Sequence, residues 1–322
     1  MNNLEITAFL IHLGPNMWGK KDSEKGRGFY IDIEDSCFKE KMVCNREVWR
    51  KVTDFLPQCG INTIVIDVAD GIKYKSHPEI ALPDAWNCEE LKQELCRLRS
   101  IGLTPIPKCN FSTAHSAWMK EHAYSVGTEE HIDFCKDIIN ELIDLFDFPK
   151  YFHLGLEEET AEAQMDQTVS LMRSTYKWAQ DANDLFDTCR ARGVRPWIWT
   201  SGEDVAGVGG DEAFREYVGK DVLLSNWYYG IIRYGKNTRG ENVFADYSCR
   251  FAEWGYEQVP TGSTWEWHLN NKDIMRFCKN EVDKKSIKGY MTASWMQTTD
   301  KKLYALLNDA FNFGNAIKDI YG

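Results

Sequence analysis

Three consecutive carboxylates, Glu157, Glu158 and Glu159, stand where an apolar run of residues 151–156 ends. Side by side, each negative charge disfavours ionisation of its neighbour. In a walled pocket that repulsion is useful. It helps keep one carboxyl protonated near neutral pH, able to protonate a leaving oxygen, while another steadies developing positive charge. Acidic residues also collect at helix starts, where the helix dipole favours them. The same triplet therefore also reads as a solvated lead into the next helix.

The elements that must position these groups follow from periodicity. Short β-branched or aromatic runs, predicted as strands, cover 6–13, 63–69, 104–111, 151–157, 195–201, 222–229, 259–265 and 288–295. Helical patterns alternate with them over 45–60, 88–102, 128–146, 166–193, 211–219, 242–255, 271–285 and 303–317. Gly60, Gly102 and Gly193 serve as stops, and Thr128 as an N-cap. Eight strand–helix units predict an α/β fold, a single (β/α)8 TIM barrel spanning 1–322 as one catalytic domain. A doubly wound open sheet would usually carry a glycine-rich phosphate turn after its first strand. Here that turn reads GPNMWGKKDSEKGRG, with no G-x-G-x-x-G, and no repeat or linker divides the chain.

A barrel places chemistry at the C-terminal ends of its strands. Those ends supply Asn16 and Trp18; Asp67 and Asp70; Lys108, Asn110 and His115; and the three glutamates. The second half adds Trp199, Ser201, Glu203 and Asp204; Asn226, Trp227, Tyr228 and Tyr229; Trp265, Glu266, Trp267 and His268; and Trp295 and Gln297. Carboxylates with flat aromatic platforms suit a carbohydrate, which needs acid–base groups and apolar walls. His153 lies within a strand and is expected to pack inside the barrel.

A formal charge of −11 argues against a nucleic-acid partner or an anionic membrane. No apolar stretch is long enough to span a bilayer, and the N-terminus does not read as a signal peptide. The ten cysteines form no C-x-x-C pair. Reduced thiols in a cytoplasmic protein are the simplest expectation, with a Cys37–Cys44 bridge as the other possibility. Glu266 and His268 make only a two-ligand cluster, so neither metal nor cofactor is expected. Nothing in the sequence bears on oligomeric state.

Four strand ends together resemble family 20 glycoside hydrolases, the β-N-acetylhexosaminidases. HLGLEEE, residues 153–159, is similar to that family's H-x-G-G-D-E motif. Asn62, Asp70 and Pro78-Glu79-Ile80 resemble its second-strand pattern, LTPIPKCNFSTAHSAWM its I-P-E-I-D-x-P-G-H segment, and GYMTASWMQ its closing strand. The resemblance implies that Glu158 is the general acid/base and that Glu157 polarises a substrate acetamide. It implies a supporting shell of Asp70 and His115. Asn110, Trp199, Trp227, Tyr229, Trp265, Trp267, Trp295 and Gln297 complete the expected substrate-binding set. Glu159 is expected to face solvent or start the next helix.

Several positions depart from the family. Glu157 and Asn110 replace aspartates, His115 lies one residue further on, and Gln297 replaces an acid. The first strand lacks the family's arginine, and no counterpart of the family's smaller N-terminal domain is expected. The expectation is an exo-acting hexosaminidase-like hydrolase. A glycosidase of another glycan class and a non-catalytic sugar-binding barrel are the alternatives. A metal-dependent hydrolase would want several histidines at strand ends, and the chain has seven in all.

Overall fold

The computed structural model describes residues 4–18, 37–164, 167, 169–233 and 238–322. Its strands are β1 (Ile6–His12), β2 (Thr63–Asp67), β3 (Thr104–Lys108), β4 (Tyr151–His153), β5 (Arg195–Thr200), β6 (Leu223–Asn226), β7 (Thr261–Gly262) and β8 (Gly289–Ala293). All pair in parallel, in the order β6-β5-β4-β3-β2-β1-β8-β7. Isolated bridges Leu224–Gln258 and Trp227–Thr261 join the two edges and bring the sheet round to a barrel. The expected (β/α)8 barrel is therefore observed.

Strand alternation sorts the core into two layers. Ala8, Leu10, Val65, Ile106, Tyr151, Trp197, Leu223 and Met291 cluster inside the barrel. Their sequence neighbours Phe9, Ile11, Ile64, Ile66, Phe152, Ile198, Leu224 and Tyr290 pack outward with the helices. Burial on both faces explains why the strands read as nearly continuous apolar runs.

One step further along the inner face the chemistry changes. His12, Asp67, Lys108 and His153 are register partners across β1 to β4. Lys108 Nζ lies 2.6 Å from Asp67 Oδ2, and His12 Nδ1 lies 3.5 Å from the same oxygen. Both charges of the Lys108–Asp67 pair are buried, so each depends on the other. Burial pushes His12 down to about 4 and His153 well below the usual histidine range, so both are neutral. His153 packs between Trp197 and Trp199, as expected.

The helices start and stop largely where the sequence predicts. Asn87 and Glu90 form a reciprocal capping box, and Thr128 accepts from His131 N. One helix is shorter than expected. The pattern over 166–193 gives a helix only over Thr175–Ala191, capped by Ser174; residues 166 and 168 lie outside the described residues. The preceding segment is held by side chains instead. Gln164 accepts from Leu171 N, and Arg173 turns inward to Glu159 and Asp181. All ten cysteines are free, Cys37 and Cys44 included. Among the described residues no helix is long and apolar enough to cross a membrane.

Candidate active site

After β4 the chain leaves the sheet through three left-handed residues, Gly155 (φ 73°), Leu156 (φ 70°) and Glu158 (φ 56°). Leucine and glutamate rarely adopt this conformation, which clusters at functional sites. Its effect is to splay the three carboxylates apart. A Cβ on Gly155 would lie 2.1 Å from Asn110 Oδ1, so glycine lets the β3 and β4 ends close on each other.

Asn110 is the pin between them. Its Oδ1 accepts from Ser112 N at 3.1 Å and Leu156 N at 3.3 Å, which fixes the orientation of the amide. Its Nδ2 must then face Glu157, to whose Oε1 it donates at 2.8 Å. Ser112 Oγ donates to the Glu157 backbone oxygen at 2.5 Å. Glu157 is buried, and its Oε2 has no hydrogen-bond partner among the described residues.

Glu158 points elsewhere. Its N–H donates to Asp204 Oδ1 at 2.8 Å, and Ser201 Oγ donates to the other oxygen of Asp204 at 2.8 Å. The Glu158 side chain is 41% exposed, and its Oε2 lies 3.3 Å from His115 Nε2. His115 Nδ1 faces Glu157 Oε1 at 3.6 Å. One imidazole thus stands between two carboxylates.

Charge follows from this geometry. Burial pushes Glu157 above its usual range, and the nearby His115 and Lys108 only partly offset it. Burial would also raise Glu158, but the hydrogen bond and charge of His115 outweigh it and hold Glu158 low. Burial would depress His115, yet the two glutamates raise it. Asp204 is pushed up to about 7 by burial, against the bonds from Glu158 N and Ser201. The repulsion expected to keep one carboxyl of the triplet protonated acts on Glu157, where the Glu158 charge adds to burial. The raised carboxyl is Glu157, and Glu158 is ionised beside His115.

Glu159 is also corrected. It neither faces solvent nor begins a helix. It pairs with Arg173, which also reaches Asp181 Oδ2 at 3.2 Å, and the three side chains are 10%, 5% and 0% exposed.

The pocket that receives these groups holds about 400 Å³ of space, open on one side to solvent. Glu157, Glu158 and His115 form one wall; Trp199, Trp227, Tyr229, Trp265 and Trp295 form the others. Trp227 stacks on Tyr229 with ring centres 5.3 Å apart, and Tyr229 meets Trp265 edge-on at 5.6 Å. Trp295, left-handed at φ 54°, lies 5.6 Å from Trp199. The indole nitrogens of Trp199 and Trp227 are buried without a hydrogen-bond partner among the described residues.

Met17 and Trp18 complete the pocket. Trp18 stands edge-on to His115 at 6.1 Å and to Trp295 at 5.8 Å. Its place at a strand end was legible, but nothing local signals that contact. Met17 Sδ covers Lys108 and Asn110, accepting from their side chains at 3.5 and 3.8 Å.

Three expected site residues lie elsewhere. Asp70 does not join His115 beside Glu158: it is buried and accepts from Asn16 Nδ2 at 2.6 Å, tying the β1 and β2 loops together. Trp267 packs beside His268 and donates to Asp273 at 3.1 Å, next to the helix Asn270–Glu281. Gln297 is buried and donates to the Pro15 backbone oxygen at 2.9 Å. Asn110 acts through Glu157 and does not line the pocket.

No protein-family model and no curated protein matches the chain. Solved structures do. A β-N-acetylhexosaminidase from Bacteroides fragilis superposes with TM-score 0.61 at 13% identity, over 97% of this chain and 66% of that one. A family 20 exo-β-N-acetylglucosaminidase from Vibrio harveyi, solved with N-acetylglucosamine, gives 0.60 at 12% identity, over 99% and 57%. A Streptomyces plicatus β-hexosaminidase mutant, solved with its product, gives 0.58 at 13%, over 97% and 64%. The chain thus spans under two thirds of the length of these structures. Its barrel has the fold of the family 20 β-N-acetylhexosaminidases, at 12–13% identity to these three structures.

Proposed function

We propose that the chain is a retaining glycosidase for 2-acetamido sugars, working by substrate assistance. The observation that carries this reading is the set of unpaired polar atoms on pocket residues. Glu157 Oε2, Trp199 Nε1 and Trp227 Nε1 are buried and lack partners among the described residues. Buried polar atoms are rarely left unpaired. An amide offers one donor and one acceptor in a fixed plane, which matches a carboxylate oxygen and an indole N–H.

On this reading Glu158 gives a proton to the glycosidic oxygen. The acetamide oxygen attacks the anomeric carbon as the leaving group departs, closing an oxazolinium ring. Glu157 accepts the acetamide N–H; that bond and the positive charge that develops favour its ionised form, whose charge in turn offsets that positive charge. Water then attacks the anomeric carbon from the side the leaving group vacated. Glu158 takes the water's proton, and the ring reopens with retention. His115, 3.3 Å from Glu158 and raised by the two glutamates, is placed to exchange a proton with it. A bound sugar displaces water, which disfavours the ion pair and returns the proton to Glu158. The aromatic walls hold the apolar faces of one ring.

A second reading is favoured by the placement of Asp70, Trp267 and Gln297 away from the pocket. With fewer polar side chains for the outer hydroxyls, the sugar ring or linkage would differ from that of the family. Assay on a panel of aryl glycosides separates the two. Release from β-linked 2-acetamido sugars alone supports the first reading, and release from rings without the acetamide supports the second. Binding without turnover on every member contradicts both.

A further inference from the structure

A second cluster of chemistry lies outside the pocket, where the loops after β2 and β3 meet. His77 Nδ1 is 2.9 Å from Glu79 Oε1, and His122 Nε2 is 3.0 Å from the same oxygen. The three potential ligand atoms all lie within 4.8 Å of one another. We propose that His77, Glu79 and His122 bind a divalent transition-metal ion, with zinc the best match.

Two imidazole nitrogens and one carboxylate oxygen are a recurrent zinc set, with water in the fourth position. A tetrahedral ion with bonds of about 2.0–2.1 Å holds its donor atoms about 3.3 Å apart. The observed 2.9 and 3.0 Å separations need open by only a few tenths of an ångström to admit it. The surroundings suit metal binding as well. Asp137 Oδ2 lies 3.3 Å from His77 Nε2, on the far side of the ring from Glu79. A carboxylate there holds the ring proton on Nε2 and leaves Nδ1 its lone pair, the outer-shell arrangement of metal-bound histidines.

The rings are also held in place. His122 stacks on Phe134 at 4.1 Å with an interplanar angle of 9°, and His77 meets the same ring edge-on at 4.7 Å. Lys120 donates to the backbone oxygens of Glu79 and Ala81 at 2.7 and 3.1 Å. It therefore does not occupy the Glu79 carboxylate. His77 and His122 are 17% and 21% exposed and Glu79 is 52% exposed, so an ion can enter and keep a water. His122 lies in the short helical stretch Ala117–Tyr124, just beyond Thr113–His115. A bound ion would clamp the segment that carries His115 onto the loop after β2.

The test uses the full chain, stripped with chelator and titrated with Co²⁺ and then Zn²⁺. The expected result is one ion per chain, with the visible absorption of low-coordinate cobalt and a rise in Tm on adding Zn²⁺. His77→Ala and His122→Phe, the latter keeping the stacked ring, should lose both signals. Asp137→Asn should weaken binding about 10- to 100-fold. Glu79→Gln, at a half-exposed side chain, covers the case in which the histidine variants do not fold. Failure of the wild type to take up metal overturns the proposal. So does uptake with an unchanged Tm shift in Glu79→Gln and His122→Phe, which would place the ion on other side chains. A Tm that falls in the variants with no dependence on metal also overturns it, leaving a hydrogen-bond network.

Discussion

His115 Nε2 lies 3.3 Å from Glu158 Oε2, and its Nδ1 faces Glu157, without the Asp70 that the sequence expectation set beside His115 in the shell around the acid. The carboxylate on each side of the imidazole comes from the same strand end. This relationship governs how the site handles protons, and it has consequences that can be measured.

Glu158→Gln should lower kcat about 10²- to 10⁴-fold on substrates with a poor leaving group, the usual contribution of general acid catalysis. The loss should shrink on activated aryl glycosides, whose leaving oxygen needs little protonation. The variant should keep its fold and lose no more Tm than removal of its partner His115 does, since both changes break the same pair. Equal losses on both substrate types would remove Glu158 from the acid role.

The His115–Glu158 pair should stabilise the fold in a bounded pH window. His115 is raised above its ordinary 6.5, so its contribution is full below that value and is lost as pH rises through the raised pKa. Glu158 is lowered from 4.5, so its contribution is full above that value and is lost as pH falls through the lowered pKa. The Tm difference between wild type and His115→Gln should therefore be largest between about pH 4.5 and 6.5 and narrow on both sides. A difference independent of pH would contradict the pairing.

Arg173→Met should be costly even though Arg173 lies outside the pocket lining. It leaves Glu159 buried without its cation, while Asp181 keeps Lys177 at 2.7 Å, and removing one partner of a buried pair typically costs about 3–5 kcal/mol. Chemical denaturation measures this directly. A change within experimental error would mean that Glu159 reaches water after all.

The barrel was readable because strand alternation and helix caps are local signals. All eight strands lie within their predicted ranges, and Thr128 and Gly60 cap where their chemistry says they should. The pocket aromatics Trp199, Trp227, Tyr229, Trp265 and Trp295 were readable as strand-end positions. What sequence did not show is direction. Left-handed backbone at Leu156, Glu158 and Trp295 has no glycine to announce it, yet it decides where three carboxylates and an indole point. Asp70 and Gln297 were placed at the right ends of the right strands, but long-range partners, Asn16 and the Pro15 carbonyl, draw them away. Glu159 was misread because Arg173 sits in a segment that sequence assigned to a helix.

Trp227→Phe keeps a flat ring but removes an indole N–H that has no partner among the described residues. If that group holds the acetamide oxygen, kcat/KM on a 2-acetamido substrate should fall by up to about tenfold, the worth of one neutral hydrogen bond. Turnover on a ring lacking the acetamide should not fall with it. Equal falls on both would make the residue a wall only.

Substrate assistance is tested most directly by the nucleophile itself. A series of aryl 2-acetamido glycosides carrying one, two or three fluorines on the acetyl group leaves Glu157, Glu158 and the leaving group unchanged while weakening the attacking oxygen. The account predicts that kcat/KM falls stepwise with each fluorine. A flat series, or a covalent sugar adduct on Glu157 after reaction with a 2-fluoro glycosyl fluoride, would contradict it and make Glu157 the nucleophile.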